Sequence, residues 1–412
     1  MQPSYKRLKL ACYTTNVTMS AVGNLSALLF ICFHTLYDIS YTKLGLLVLV
    51  NFVTQLAVDL VFSFFSSNFN VPKTVRFTPL IAFFGLALYA LTPALFKENI
   101  YLGLLLSTVI FASSSGLSEV LTSPTIAAIP SDDPDREMSK LHSVYAWGVV
   151  GVVVVSTLFL LIFKSQSWPY LAALFAIIPL SSFLLFTGVA IPQIKEEPKS
   201  ENSLPKMRKK GLWLCVFAIF LGGAAECTMA QWCSGYLEKA MGIDKVWGDI
   251  FGVALFAAML GLGRSLYAKR GRRIERVLFM GAIGATACYL AAALTSFAPL
   301  GLFACAFTGF CVSMMWPGML VVASDRFPGS GVALYALMAA GGVLGASVGP
   351  AFMGVVTDFV AANPFGIKLA QTLGLSPDGL GMKAGLLLGM LFPLAAIFVY
   401  RRFMKTKNAS RA

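Results

Sequence analysis

Apolar runs of roughly 20 residues recur along almost the whole of this 412-residue chain, and a helix of that length crosses the ~30 Å hydrocarbon core of a bilayer. Twelve such spans are read at 10–37, 43–66, 76–96, 100–129, 141–163, 168–190, 211–238, 246–268, 277–297, 300–323, 332–359 and 382–403. Backbone groups at membrane depth have no water to bond, so helices or a closed barrel are the only solutions. Barrel strands alternate apolar and polar residues over about ten positions, and Gly148–Phe163 shows no such alternation. The expected fold class is therefore an all-α integral membrane protein of twelve transmembrane helices. Composition agrees: 57% hydrophobic residues, 12% charged residues and a mean hydropathy of +0.76 are far too apolar for a soluble chain of this length.

The net charge of +13 follows the membrane rather than a nucleic acid. If the N-terminus lies in the cytoplasm, only Lys43, Lys97, Lys164, Lys239, Lys245, Lys368 and Lys383 fall outside, and every other Lys and Arg lies within. This asymmetry places both termini in the cytoplasm and implies the inner membrane. No folded basic domain exists for nucleic acid to bind. The eight Cys lie inside expected spans without metal-binding spacing and read as small apolar side chains. His34 and His142 are the only histidines, near opposite ends of their helices, and no nucleophile–base pair or phosphate-binding loop accompanies them. An enzyme is not expected, nor is any cofactor or metal.

The polar stretch Pro192–Lys210 divides the chain into a six-helix bundle at 1–191, a cytoplasmic linker at 192–210 and a second six-helix bundle at 211–412. An internal repeat supports duplication: Gly116, Pro124, Ser131 and Asp132 return with identical spacing as Gly309, Pro317, Ser324 and Asp325. Near-equal halves of this kind suit transporters whose ligand sits between pseudosymmetric bundles.

Only the first copy carries an acid, Glu119, deep in an apolar span and followed at i+3 and i+4 by Thr122 and Ser123. Charge there is tolerated chiefly beside a protein-lined cavity, and burial favours the neutral carboxyl, so Glu119 is the candidate proton-coupling group. A permanently protonated Glu119 bonded to a neighbouring helix is the plainer alternative. Glu226 is a second intramembrane acid, after Gly222 and Gly223; Gln231 lies about 140° from it on an ideal helix. Asn24 is the preferred ligand-binding member of a first span rich in Thr, Ser and Asn. Sugars offer C–H faces to aromatic rings and hydroxyls to amides and acids, which makes Tyr145, Trp147, Trp232, Trp316 and Tyr335 stacking candidates, although single aromatics more often pack or lie at the interface. Asp59 and Arg264, near the cytoplasmic ends of spans two and eight, are assigned to gating or packing. Ser67–Lys73 places Asn70 where left-handed geometry is accessible.

These residues resemble the fucose permease-type sugar transporters of the major facilitator superfamily. Gly116, Glu119, Ser123 and Pro124 look like that family's fourth-helix motif; Lys140, Leu141, His142 and Tyr145 resemble its fifth; Phe220, Leu221, Ala225 and Glu226 its seventh; and Trp316-Pro317 stands at its Tyr-Pro. The resemblance implies proton coupling through Glu119 and sugar binding at Glu226. Ala27 departs from the family, standing where it has the acid that partners the coupling Glu. The expected function is import of a monosaccharide or related small polar solute by proton-coupled alternating access, with Asn24, Tyr145, Glu226, Gln231, Trp232 and Trp316 binding substrate. A two-bundle monomer in a lipid bilayer suffices. Uniport, suggested by Ala27, and efflux of an amphipathic drug or metabolite, suggested by Met314 and Met315, are the alternatives.

Overall fold

The computed structural model describes residues 5–65, 69–130, 134–192, 210–270, 273–327 and 331–409, and every regular element among them is helical. The first seven helices are α1 (Lys6–Leu28), α2 (Phe30–Tyr37), α3 (Tyr41–Phe65), α4 (Val71–Leu95), α5 (Ile100–Ala127), α6 (Pro134–Phe163) and α7 (Trp168–Phe186). The remainder are α8 (Lys210–Lys239), α9 (Lys245–Trp247), α10 (Leu255–Arg270), α11 (Ile274–Leu294), α12 (Ala298–Val312), α13 (Pro317–Arg326), α14 (Gly331–Ala362), α15 (Pro364–Thr372), α16 (Pro377–Gly389) and α17 (Leu391–Ala409). Ten helical stretches among the described residues are long and apolar enough to cross a membrane. The pair α1–α2, bent by 45°, adds an eleventh, and Trp147–Phe163 within α6 is a shorter apolar stretch.

The described residues form two compact units, one holding those up to Ile39 and from Val50 to 192, the other holding Ser40–Leu49 and those from Lys210 onward. Most of the expected linker at 192–210 lies outside the described residues. The sequence reading puts all of α3 in the first bundle, yet its first turns belong with the second unit. The reason is local. A helix start leaves backbone N–H groups without intrahelical acceptors, and Asp358 of α14 takes two of them, from Tyr41 (2.9 Å) and Thr42 (2.6 Å). The Tyr41 hydroxyl donates to Asp378 at 3.0 Å, and its buried ring packs 6.0 Å from that of Trp232. Because a capping carboxylate also complements the helix dipole, Asp358→Ala is expected to cost about 1–2 kcal/mol, read as a lowered melting temperature of the purified protein. Asp358→Asn, which keeps one acceptor, is expected to lose less.

In the first unit four polar residues of α1 bond to neighbouring helices. Thr15 bonds Ser182 of α7 (2.8 Å), Asn16 donates to the Leu141 carbonyl of α6 (3.0 Å), Ser20 donates to the Tyr145 carbonyl (2.8 Å), and Ser26 pairs with Tyr89 of α4 (3.0 Å). Asn70 has φ −78° rather than a left-handed conformation and caps α4 by accepting from the Lys73 N–H. Ser67 and Asn68 lie outside the described residues.

In the second unit α8 packs along α14. Near its start span eight holds a seven-residue π-helical stretch, Gly248–Ala254. Its Asp249, almost fully buried, is matched by Lys245 one turn earlier (3.1 Å) and by the Ser234 hydroxyl. All eight cysteines are free thiols.

The internal repeat folds differently in its two copies. Pro124 sits within a continuous α5, whereas at Pro317 span ten breaks, α12 ending at Val312 and α13 starting at Pro317. Proline has no N–H for the carbonyl four residues earlier, here that of Ser313.

Candidate functional site

Each unit places one acid of the sequence reading beside a polar partner. In the first unit, the Gln55 side-chain amide on α3 donates to Glu119 Oε2 on α5 at 2.6 Å. Asp59, one turn beyond Gln55 on the same face of α3, lies near Glu119. Glu119 is exposed, so the direction of its exposure matters. The exposed aliphatic residues of α5, Leu102, Leu106 and Val109, form one stripe. At 100° per residue Glu119 projects about 100° away from that stripe. A carboxylate off the lipid-facing side is what water access to a membrane-embedded acid requires. Asp59, assigned to gating by its position in the sequence, is therefore a neighbour of Glu119.

In the second unit, the Ser313 carbonyl freed by Pro317 accepts from Arg264 Nε of α10 at 3.1 Å. Another guanidinium nitrogen reaches Glu226 Oε1 of α8 at 3.4 Å. The broken span thus fixes an arginine, and the arginine meets the intramembrane acid. Arg264 keeps 45% of its side-chain surface and Glu226 only 16%. On α10 Arg264 points about 160° away from exposed Leu262 and Leu266, again off the aliphatic stripe. Glu226 Oε2 is buried with no hydrogen-bond partner, and an acceptor so placed favours an incoming donor. The sequence reading gave these two residues separate roles, binding and gating; the structure joins them.

The other candidates divide. Trp316, half-buried, lays its ring against Gly342 of α14 and Gly223 of α8, the latter one turn from Glu226. Tyr145 is exposed, with its hydroxyl 3.9 Å from the Cβ position of Gly23. Asn24 turns its amide to its own helix, donating to the Ser20 carbonyl at 2.9 Å. Trp232 and Gln231 are core residues here. Trp232 is 1% exposed and its indole N–H is given to the Pro350 carbonyl (3.0 Å); Gln231 is 7% exposed. Trp232 also packs its ring against that of Tyr41, 6.0 Å away. The Tyr335 and His142 side chains lie outside the described residues.

Sequence reasoning missed Gln55, Asp249 and Asp358. Gln55 carried a signal, since it stands four residues before Asp59, and Lys245 with Asp249 shows the same spacing. Asp358 carried none, because its partners are backbone groups distant in sequence.

A model of the Major Facilitator Superfamily matches residues 11–350. The chain belongs to the Major Facilitator Superfamily. It is accordingly a multi-pass membrane transporter and not an enzyme. No curated protein matches the sequence. Among solved structures, this superfamily member resembles a bacterial homologue of the human lysosomal transporter Spinster, in an inward-facing and occupied conformation, at 14% identity and a TM-score of 0.76 over 98% of each chain. It also resembles a D-xylose-proton symporter (15% identity, TM-score 0.71, 95% of this chain and 97% of that one) and the fucose:proton symporter of E. coli (16%, 0.56, 97% and 99%). Identities this low speak for the shared fold alone, and the fucose symporter is not singled out among these neighbours.

Proposed function

We propose that this transporter imports a monosaccharide or related small polyol across the cytoplasmic membrane, coupled to proton entry, with both termini in the cytoplasm. The reading rests on one observation above the others: Glu119, exposed off the lipid-facing stripe of its helix, held at 2.6 Å by a side-chain amide. Gln55 suits a group that gains and loses a proton. Its N–H₂ donates to the carboxylate, and after protonation its carbonyl, turned by an amide flip, accepts from the new O–H. Neither state of Glu119 is left unpaired.

Glu226 and Arg264 suit a polyhydroxylated ligand. A substrate hydroxyl donates to the unpaired Glu226 Oε2 once the side chain turns towards it, and a neighbouring hydroxyl accepts from Arg264, with the Trp316 ring near enough to meet a sugar's C–H face. That the fold neighbours include symporters of xylose and fucose is consistent with this class of solute. Tyr145 and Asn24 of the first unit remain proposed substrate-binding residues in their own right, and the lysine and arginine asymmetry supports the orientation.

Uptake into proteoliposomes tests the proposal. Among labelled hexoses, pentoses, sugar acids and polyols, at least one is expected to accumulate when the lumen is made alkaline, and a protonophore is expected to collapse that accumulation. Accumulation indifferent to the pH gradient would sink the coupling, and no uptake of any polyhydroxylated solute would sink the substrate class.

A further inference from the structure

The first unit carries a groove of about 730 Å³ that the proposed transport reaction does not use. Helix α1 packs against both α6 and α7, which scarcely meet each other, so a furrow remains between α6 and α7 with α1 as its floor. Tyr13 and Val17 form that floor, Gly151 and Val155 line one wall, and Phe175 and Ile178 the other. Trp147 stands 74% exposed on the α6 rim.

Polar chemistry is concentrated at one end. Lys140 lines the groove there, and its ammonium lies 2.9 Å from Glu137. Lys9, one turn before Tyr13 on α1, reaches the same carboxylate at 3.0 Å, and the Tyr13 hydroxyl donates to it at 3.2 Å. The two ammonium groups hold the Glu137 carboxyl down at about 2, so it is ionised at neutral pH. Among the described side chains at this mouth, two lysines against one glutamate leave a net positive charge. Arg7 adds another at the same end of the unit, where its guanidinium binds the last carbonyls of α7, Leu184 (2.8 Å) and Leu185 (3.0 Å). From Lys140 to Val155 the α6 wall runs about 22 Å at 1.5 Å per residue, which exceeds half of a ~30 Å hydrocarbon core.

A cationic mouth at the membrane boundary, opening onto an apolar trough one leaflet long, matches a single lipid molecule in both charge and length. We propose that the furrow among α1, α6 and α7 is a binding site for an anionic glycerophospholipid of the leaflet nearest the start of α1. The phosphate sits at Lys140 and Lys9, and one acyl chain lies along Gly148–Val155. In the orientation proposed above this is the cytoplasmic leaflet, where anionic headgroups attract basic side chains. The lining of the furrow includes neither Glu119 nor the Glu226–Arg264 pair, so the proposal stands whether or not the solute is a sugar.

Gly151 supplies the test, because a Cβ built there meets nothing within 4 Å and a leucine at that position fills the furrow without displacing the backbone. The full-length protein, purified in detergent, is titrated with phosphatidylglycerol or phosphatidylcholine and bound lipid is counted by native mass spectrometry. Wild type is expected to prefer phosphatidylglycerol about tenfold. Lys140→Gln is expected to weaken that lipid about fivefold, one basic residue's share, and Lys140→Arg to restore it. Gly151→Leu is expected to remove binding of both lipids while eluting as a single species. Equal retention of the two lipids by wild type, undiminished retention by Gly151→Leu, or displacement of phosphatidylglycerol by millimolar inorganic phosphate overturns the proposal.

Discussion

Glu119→Gln is expected to abolish concentrative uptake while leaving exchange intact. If one proton enters with each solute, a pH difference of one unit supplies about 1.4 kcal/mol, which sustains a roughly tenfold accumulation. Glutamine keeps the shape of the side chain and a hydrogen bond to Gln55, but it has no proton to give. The accumulation ratio should fall to about one under the same gradient. Counterflow, in which labelled solute outside exchanges for unlabelled solute inside, needs no net proton movement and should stay within about twofold of wild type. The two assays on one preparation separate a lost coupling group from a lost fold. A variant that still concentrates solute tenfold would show that the proton travels elsewhere, and Asp59, the carboxylate beside Glu119, would be the first group to replace.

The spans were legible because a bilayer imposes one length and one composition on any helix that crosses it, so hydropathy alone locates α3 or α8. Glu119 and Glu226 were legible for the same reason, as charges in an apolar background. Their partners were not. Gln55 is an unremarked polar residue until α3 is laid against α5, and Arg264 looked like a gate because depth was judged from its distance to the end of a span. Pro317 announced a kink, but not that the carbonyl it frees at Ser313 would draw Arg264 onto Glu226. The burial of Trp232 was not legible either. An aromatic beside a polar residue suits a ligand or a core equally well, and the Pro350 carbonyl that takes its indole N–H is not visible in the sequence. The first turns of α3 were assigned by order along the chain, whereas Asp358, more than three hundred residues away, settles where they pack.

A substitution on α14 is expected to have the largest effect on stability. A Cβ at Gly345 would be driven into the backbone carbonyl of Phe220 on α8, with the Ala224 nitrogen 3.0 Å away. Both obstacles are main chain of a packed helix, so neither can swing aside as a side-chain tip does. Gly345→Ala therefore sets about 1 kcal/mol of improved helix propensity against overpacking of about 1–3 kcal/mol or more. Gly345→Leu adds three further carbons to the same contact and is expected to destabilise by at least about 3 kcal/mol. Since α8 carries Glu226 one turn beyond Gly223, itself packed on Gly342 of α14, parting the two helices also pulls the acid from Arg264. Gly151→Ala, on the open wall of α6, is the matched control and is expected to be neutral or mildly stabilising. Thermal melts of the three variants in one detergent check the ordering. If Gly345→Leu melts with wild type, backbone-to-backbone contact is not what holds the α8–α14 seam, and the placement of Glu226 must depend on the Arg264 contact instead.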